Sequence, residues 1–308
     1  MEKELLPPKM DIVFQALFRK GNETITKAFI SEIIGKNIQK IELDKNKNLL
    51  REYAKDKMGI LDLIAILDDG VICNIEVQLS DNKDIEKRIL YYNGKAYSQQ
   101  MLVGDKYKDL NQTISIAILD YNLKKLMDIE EAHTIWHIRE DNNNIKLTDV
   151  LEIHIIEIPK VREMKAKGSK NALIDWITFL DNPNQKEVSE IMKTNKEIQE
   201  AMEKLEEISS DEELMRLVEL RRKAILDENQ AKYAARVVGR EEGREEGRKE
   251  GRKEGRKEGR EEGREEGIKE AKVEVAKKLL KMNIELEKII EITELTKEEL
   301  EKLTMEEN

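Results

Sequence analysis

One cysteine, Cys73, and three histidines are all that this 308-residue chain offers in thiol and imidazole groups. A lone cysteine excludes an intrachain disulfide and points to a reducing compartment; its place in an apolar stretch reads as a small core hydrophobe. Zinc-type Cys/His spacing, a Ser-His-Asp or Cys-His set and a Walker loop are all lacking, which removes the commonest hydrolase and nucleotide-binding signatures. The histidines sit on alternating apolar stretches and read as structural. No apolar run approaches the ~18 to 20 residues of a membrane span. The start, MEKELLPPK, lacks the basic-then-apolar order of a signal peptide, so the expectation is a cytoplasmic protein without a membrane partner.

An excess of positive charge is also lacking. The net charge is −10; residues 1–178 carry 27 Lys+Arg against 29 Asp+Glu, and residues 179–308 carry 28 against 36. The acidic surplus therefore sits mostly in the tail, and the first half is near neutral, able to meet phosphates only through a local basic face. Lys45-Lys47-Arg51, Lys55-Lys57 and residues 160–170 are the basic clusters, each either a solvated face or a phosphate track. Apolar residues make up 39% and charged ones another 39%, too polar for one compact globule of this length, so part of the chain should be an exposed helical extension.

What is present is organised around residues 59–79, GILDLIAILDDGVICNIEVQL. Two apolar, β-branched arms flank Asp68-Asp69-Gly70, the turn chemistry of a three-residue hairpin loop with Gly70 at positive φ. If Leu67 pairs with Val71, counting outward sets Asp62 across from Glu76 on one face of the sheet. Opposed side chains have Cβ atoms about 5 Å apart, and two carboxylates so placed need a cation or a proton between them. Gln78 and Asn74, two residues to either side of Glu76, share its face.

A strand Asp followed by Glu-x-Gln on the next strand resembles the PD-(D/E)XK nuclease superfamily, and within it the Rpn family of recombination-promoting nucleases and transposase-like proteins, where Gln commonly replaces the superfamily Lys. Further matching blocks are LLPPKMDIVFQALF, GILDLIA, NIEVQLS, RILYYNGKAYSQQM, ISIAILD and LEIHIIEIPK, together covering roughly residues 5–165. The resemblance implies an α/β fold, a restriction-endonuclease-like core of mixed sheet flanked by helices, followed by a long helical C-terminal extension. It implies Mg²⁺-dependent hydrolysis of DNA, with Mn²⁺ as substitute, linked to recombination or transposition. Asp62 and Glu76 are then the metal ligands, and Gln78 stands in the catalytic position. Asp11 reads as a helix N-terminal support, and by resemblance also as a further ligand. Arg88, Tyr91 and Tyr97 on the helix after the hairpin are candidate substrate contacts; the two tyrosines read equally as core residues. Two other readings stay open: a catalytically silent DNA-binding or assembly module, and an RNA nuclease using the same site.

The remaining elements follow in order. Helices are expected from Asp11 and through TITKAFISEII to Gly35, a strand over 38–43, a helix over 84–101, a central strand over 113–119, and strands over 133–138 and 145–158. From Asn171 the chain turns helical, with a capping box at Ser210-Asp-Glu-Glu213. Over 239–267 a glycine recurs every fourth residue, eight in all. Each costs a helix about 1 kcal/mol relative to Ala, and the stripe drifts about 40° per repeat, so the segment reads as a weak helix or solvated spacer. Residues 268–308 regain amphipathic order, with a second capping box at Thr296-Lys-Glu-Glu299. The expected organisation is 1–170 nuclease-like domain, 171–238 helical region, 239–267 repeat helix or spacer, and 268–308 small helical tail, the C-terminal helices serving homo-oligomer or partner contacts.

Overall fold

A computed structural model of the chain describes residues 5–43, 63–81 and 83–306. The chain divides into two compact units, residues 1–224 and 225–308.

The first unit opens with α1 (Asp11–Phe18) and α2 (Glu23–Ile34), which stops at Gly35 in the left-handed region, φ 65°. β1 (Glu42–Leu43), β2 (Leu63–Ile66) and β3 (Ile72–Gln78) then lead to α3 (Ile85–Ser98), β4 (Thr113–Leu119), β5 (His133–Trp136) and β6 (Leu151–Glu157). The six strands lie in the order β1-β2-β3-β4-β6-β5, with β3, β4 and β6 parallel and the others antiparallel, a mixed sheet. As its largely apolar sequence TISIAIL implies, β4 is central and buried along its whole length.

The sheet's two faces do different work, because strand side chains alternate. One face presents Cys73, Ile75 and Val77 beside Ile114, Ile116 and Ile118. These residues share the main core with α1, α2 and the helices α5 (Ala172–Asp181) and α7 (Lys196–Ile208). Phe14, Phe18, Phe29, Trp176 and Phe179 fill the centre of that layer, with Phe29 and Trp176 ring centroids 5.4 Å apart. α3 packs on the other face, where Tyr92 and Ala96 meet Ile64 and Ile72, and Ile85 and Ile89 meet Ala117 and Leu119.

The hairpin keeps the register its turn dictates. The Leu67 N–H donates to the Val71 carbonyl at 2.8 Å, Ile66 lies opposite Ile72 and Leu63 opposite Ile75. The loop needs positive φ at Asp69 (55°) and Gly70 (76°), and a Cβ on Gly70 would stand 2.6 Å from the Asn111 amide nitrogen. Backbone strain and steric conflict act together there. Gly70→Ala should therefore lower stability by about 1 to 3 kcal/mol, read as a shift in the urea midpoint.

Several boundaries differ from expectation for local reasons. The strand expected over 38–43 shrinks to two residues, because the backbone N–H groups of Gln39 and Lys40 are taken by the Asp68 carboxylate at 2.7 Å each. The strand expected over 145–158 is confined to β6; Ile145 and Lys146 belong to a short bridge with Arg139 and Glu140. Pro159 then opens an unexpected helix, α4 (Ile158–Ala166). Within it Lys160 is buried and bound to the Glu157 carboxylate and the Leu126 carbonyl, both at 2.6 Å, so it is neither solvated nor a phosphate contact. The basic residues 45–57 lie outside the described residues. α6 (Lys186–Thr194) precedes α7, and α8 (Glu212–Lys281) is capped by Asp211, not by Ser210: the Asp211 carboxylate accepts from the Glu213 and Leu214 N–H groups.

The second unit holds the rest of α8 with α9 (Leu286–Thr293) and α10 (Lys297–Glu306). Ala276, Ile289, Leu295, Leu300 and Leu303 form its small core. The Thr296–Glu299 capping box is formed reciprocally: the Thr296 N–H donates to the Glu299 carboxylate at 3.0 Å and the Glu299 N–H to the Thr296 hydroxyl at 3.3 Å. Residues 239–267 are helical and exposed throughout, and a Cβ on any of the eight repeat glycines would meet open space.

Candidate active site

On the α3 face, β3 presents Asn74, Glu76 and Gln78 in a row, leading to the carboxyl ends of the parallel strands, where open α/β sheets tend to bind ligands. Glu76 is only 4% exposed. Removing a carboxylate from water is costly unless a cation or donors compensate, and here two groups do so on one oxygen. Arg88, in the first turn of α3, forms an ion pair with Glu76 Oε1, and the Gln78 amide donates to the same oxygen at 2.7 Å. Burial nevertheless raises the Glu76 pKa above the ordinary carboxylate range, with Arg88 and Gln78 partly offsetting it.

Asp81 and Tyr121 extend this acidic corner. Tyr121 follows the end of β4, where Asp120 N–H donates to the Gln78 carbonyl at 2.9 Å. Its hydroxyl is buried without a hydrogen-bond partner among the described residues, and burial, with Asp81, Glu76 and Glu86 nearby, pushes its pKa up. Asn74 Oδ1 is likewise buried and unpartnered. That oxygen, on the same strand face as Glu76, gives the site a hard donor of the kind Mg²⁺ and Mn²⁺ accept. Among the described residues no group of three or more His, Cys, Asp or Glu side chains is arranged to hold a metal. Asp62, the second expected carboxylate, lies outside the described residues; β2 runs in the expected register up to Leu63, its neighbour.

Of the residues singled out from sequence, Glu76, Gln78 and Arg88 come together. Arg88 holds a carboxylate, and its guanidinium lies 5.8 Å from the centroid of the Tyr92 ring. Tyr91 is half exposed on the helix surface, its ring edge-on to Tyr92 at 5.4 Å. Tyr97 is partly buried nine residues beyond Arg88, about 14 Å further along the helix axis. Asp11 does what a first-turn acid should, accepting from the Ile12 N–H at 2.9 Å, and it pairs with Arg221 at 2.7 Å; no contact joins it to Glu76. Cys73 is buried on the opposite face with its thiol pKa raised by burial, so it is no nucleophile.

The histidines form a network that their spacing alone does not reveal. His133 Nε2 lies 2.9 Å from His154 Nδ1, His154 Nε2 lies 2.8 Å from Glu152 Oε1, and His137 Nε2 lies 3.1 Å from Glu152 Oε2. Antiparallel pairing of β5 with β6 brings residues 21 apart in sequence to one face. Hydrogen bonding from His154, then from His137, holds the Glu152 pKa at about 2, while burial followed by repulsion from His154 lowers that of His133 to about 4. The unfolded chain protonates His133 near its ordinary value while the folded chain does not. Stability should thus fall as pH drops from 6.5 toward 4, by on the order of 1 to 2 kcal/mol after allowance for partial exposure. Thermal unfolding across that window should show the slope in the parent and a flatter profile in His133→Asn.

Comparison with curated proteins and with solved structures gave no match. The family described as PD-(D/E)XK nuclease family transposase matches residues 8–235, nearly three quarters of the chain. With a mixed sheet, α3 across one face and Glu-Val-Gln on β3, the chain belongs to the PD-(D/E)XK nuclease family transposases.

Proposed function

We propose that the protein is a divalent-metal-dependent endonuclease that hydrolyses phosphodiester bonds of DNA during recombination or transposition. The observation that carries this reading is the buried Glu76, aligned on one strand face with Gln78 and with the unpartnered oxygen of Asn74, in a chain of this family. One further step of the β2–β3 register would set Asp62 opposite Glu76, and these two carboxylates with the Asn74 oxygen would hold Mg²⁺ or Mn²⁺. When bound, that ion supplies Lewis-acid polarisation of the phosphorus and acidifies the attacking water. Gln78 fixes the Glu76 carboxylate and, standing where relatives of the superfamily carry Lys, can orient a water without adding charge. Arg88 and Tyr91, three residues apart on α3, are the side chains that would meet the phosphate backbone.

A second reading has its own observation. Arg88 already neutralises Glu76, as it would in a catalytically silent DNA-binding or assembly module whose C-terminal helices associate. Incubating the purified protein with supercoiled plasmid and with RNA, each with and without Mg²⁺ or Mn²⁺, separates the readings. Metal-dependent nicking of plasmid supports the proposal, RNA cleavage alone reassigns the substrate, and inertness toward both favours the silent module.

A further inference from the structure

Arg88 and Glu76 form an unusual pair for a candidate metal ligand. Both side chains are largely buried, 16% and 5% exposed, so the pair is the internal charge balance of this corner. The pairing leaves Arg88 underused: its Nε–H is buried with no hydrogen-bond partner among the described residues. A bidentate guanidinium–carboxylate pair commonly engages Nε, and a buried donor left unsatisfied costs about 1 to 3 kcal/mol. The guanidinium is therefore held by charge more than by fit. The corner beside it is acidic: Asp81, Glu76 and Glu86 all act to raise the pKa of the buried Tyr121 hydroxyl, after burial itself. Glu86 is engaged by Lys125 at 3.1 Å, and Asp81 caps its own loop by accepting from the Lys83 N–H at 2.8 Å.

We propose that Arg88 is an electrostatic latch: it occupies Glu76 in the metal-free protein, gives up that carboxylate when a divalent cation binds, and then engages a phosphate of the nucleic acid. This rests on Glu76 being a metal ligand, the reading given above. Arg88 and a divalent cation would both draw on the charge of the one Glu76 carboxylate, so they compete for it. A guanidinium released from its carboxylate presents a planar fork of donors that matches phosphate oxygens, and the Tyr92 face beside it limits where the released side chain can go. Two consequences follow from linkage. Metal affinity is weakened by the latch in the free protein, and nucleic acid, by holding Arg88 away, strengthens metal binding.

The test is a Mn²⁺ titration followed by electron paramagnetic resonance at one fixed pH for all proteins. The proteins are the full-length parent, Arg88→Gln, Arg88→Lys and Glu76→Gln. The latch predicts that Arg88→Gln binds Mn²⁺ about tenfold more tightly than the parent, while Arg88→Lys, which keeps the charge, stays close to it. Arg88→Gln binding equally or more weakly overturns the proposal, since an arginine that merely braces the site would loosen it on removal. The parent alone supplies a second arm, free of any folding problem in the variants. Its Mn²⁺ affinity should rise several-fold on adding a phosphorothioate DNA duplex, and no rise overturns the coupling. If the parent binds no more Mn²⁺ than Glu76→Gln in either arm, the metal-ligand reading itself has failed and the latch falls with it.

Discussion

Glu76→Gln should lower divalent-metal-dependent plasmid cleavage by at least about a hundredfold while leaving the fold intact. The substitution keeps volume, burial and a side chain able to accept from Gln78, but removes the negative charge. A metal site acts through charge stabilisation worth several kcal/mol, and each 1.4 kcal/mol is a factor of ten in rate. Any change in stability should appear at neutral to alkaline pH, where the parent must bury the Glu76 charge, and vanish at low pH, where Glu76 is protonated in both the folded and the unfolded chain. Initial rates with Mg²⁺ and Mn²⁺, set beside far-ultraviolet circular dichroism, check both halves. On the proposed metal-ligand reading Asp62→Asn should lose activity to the same degree, and the double variant should be no worse than either single one, because two ligands of one ion would act as a unit. Full activity in Glu76→Gln would leave the candidate site without a role.

Trp176→Ala should destabilise the first unit by about 3 to 5 kcal/mol, the usual cost of deleting a fully buried aromatic side chain. Trp176 is 1% exposed and sits among Phe18, Phe29 and Phe179, so its loss empties the middle of the layer between sheet and helices. It also lies on α5, beyond residue 170, where composition alone suggested a separate helical region. Because α5 and α7 share the core of the sheet, the variant should lower the unfolding midpoint of the sheet and the helices together, in one transition followed by circular dichroism and by tryptophan fluorescence from Trp136. A variant that melts α5 and α7 separately from the sheet would show that the helices fold as their own unit.

The parts of this molecule legible in its sequence are those where local chemistry settles the outcome. Asp68-Asp69-Gly70 admits few loop conformations, so the Leu67–Val71 pairing and the register of β2 against β3 follow from three residues. Gly35 ends α2 for the same reason, and the apolar run of β4 permits little but a central strand. Glu76, Gln78 and Arg88 were within reach because strand period and helix position put them near one another. Other features depend on what arrives from elsewhere. The first strand is cut short by a carboxylate 28 residues away, since Asp68 takes the Lys40 N–H. The chain of contacts from His133 to His154 and from His154 and His137 to Glu152 needs the β5–β6 pairing, which no spacing rule encodes. Asp211 caps the helix while the Ser210 hydroxyl is turned back to donate to the Glu206 carbonyl at 2.8 Å, a contact set by the preceding helix. Tyr121 carried no signal at all beyond its place just after a buried strand.

The proposed activity requires the Asp62 and Glu76 carboxylates to clasp one divalent cation. An anomalous difference map from crystals soaked in Mn²⁺ addresses it directly. A peak in contact with both Asp62 and Glu76 is expected, with the Arg88 guanidinium moved off Oε1. Asp62 on the opposite face of the sheet, or an intact Arg88–Glu76 pair with the ion bound elsewhere, would contradict it.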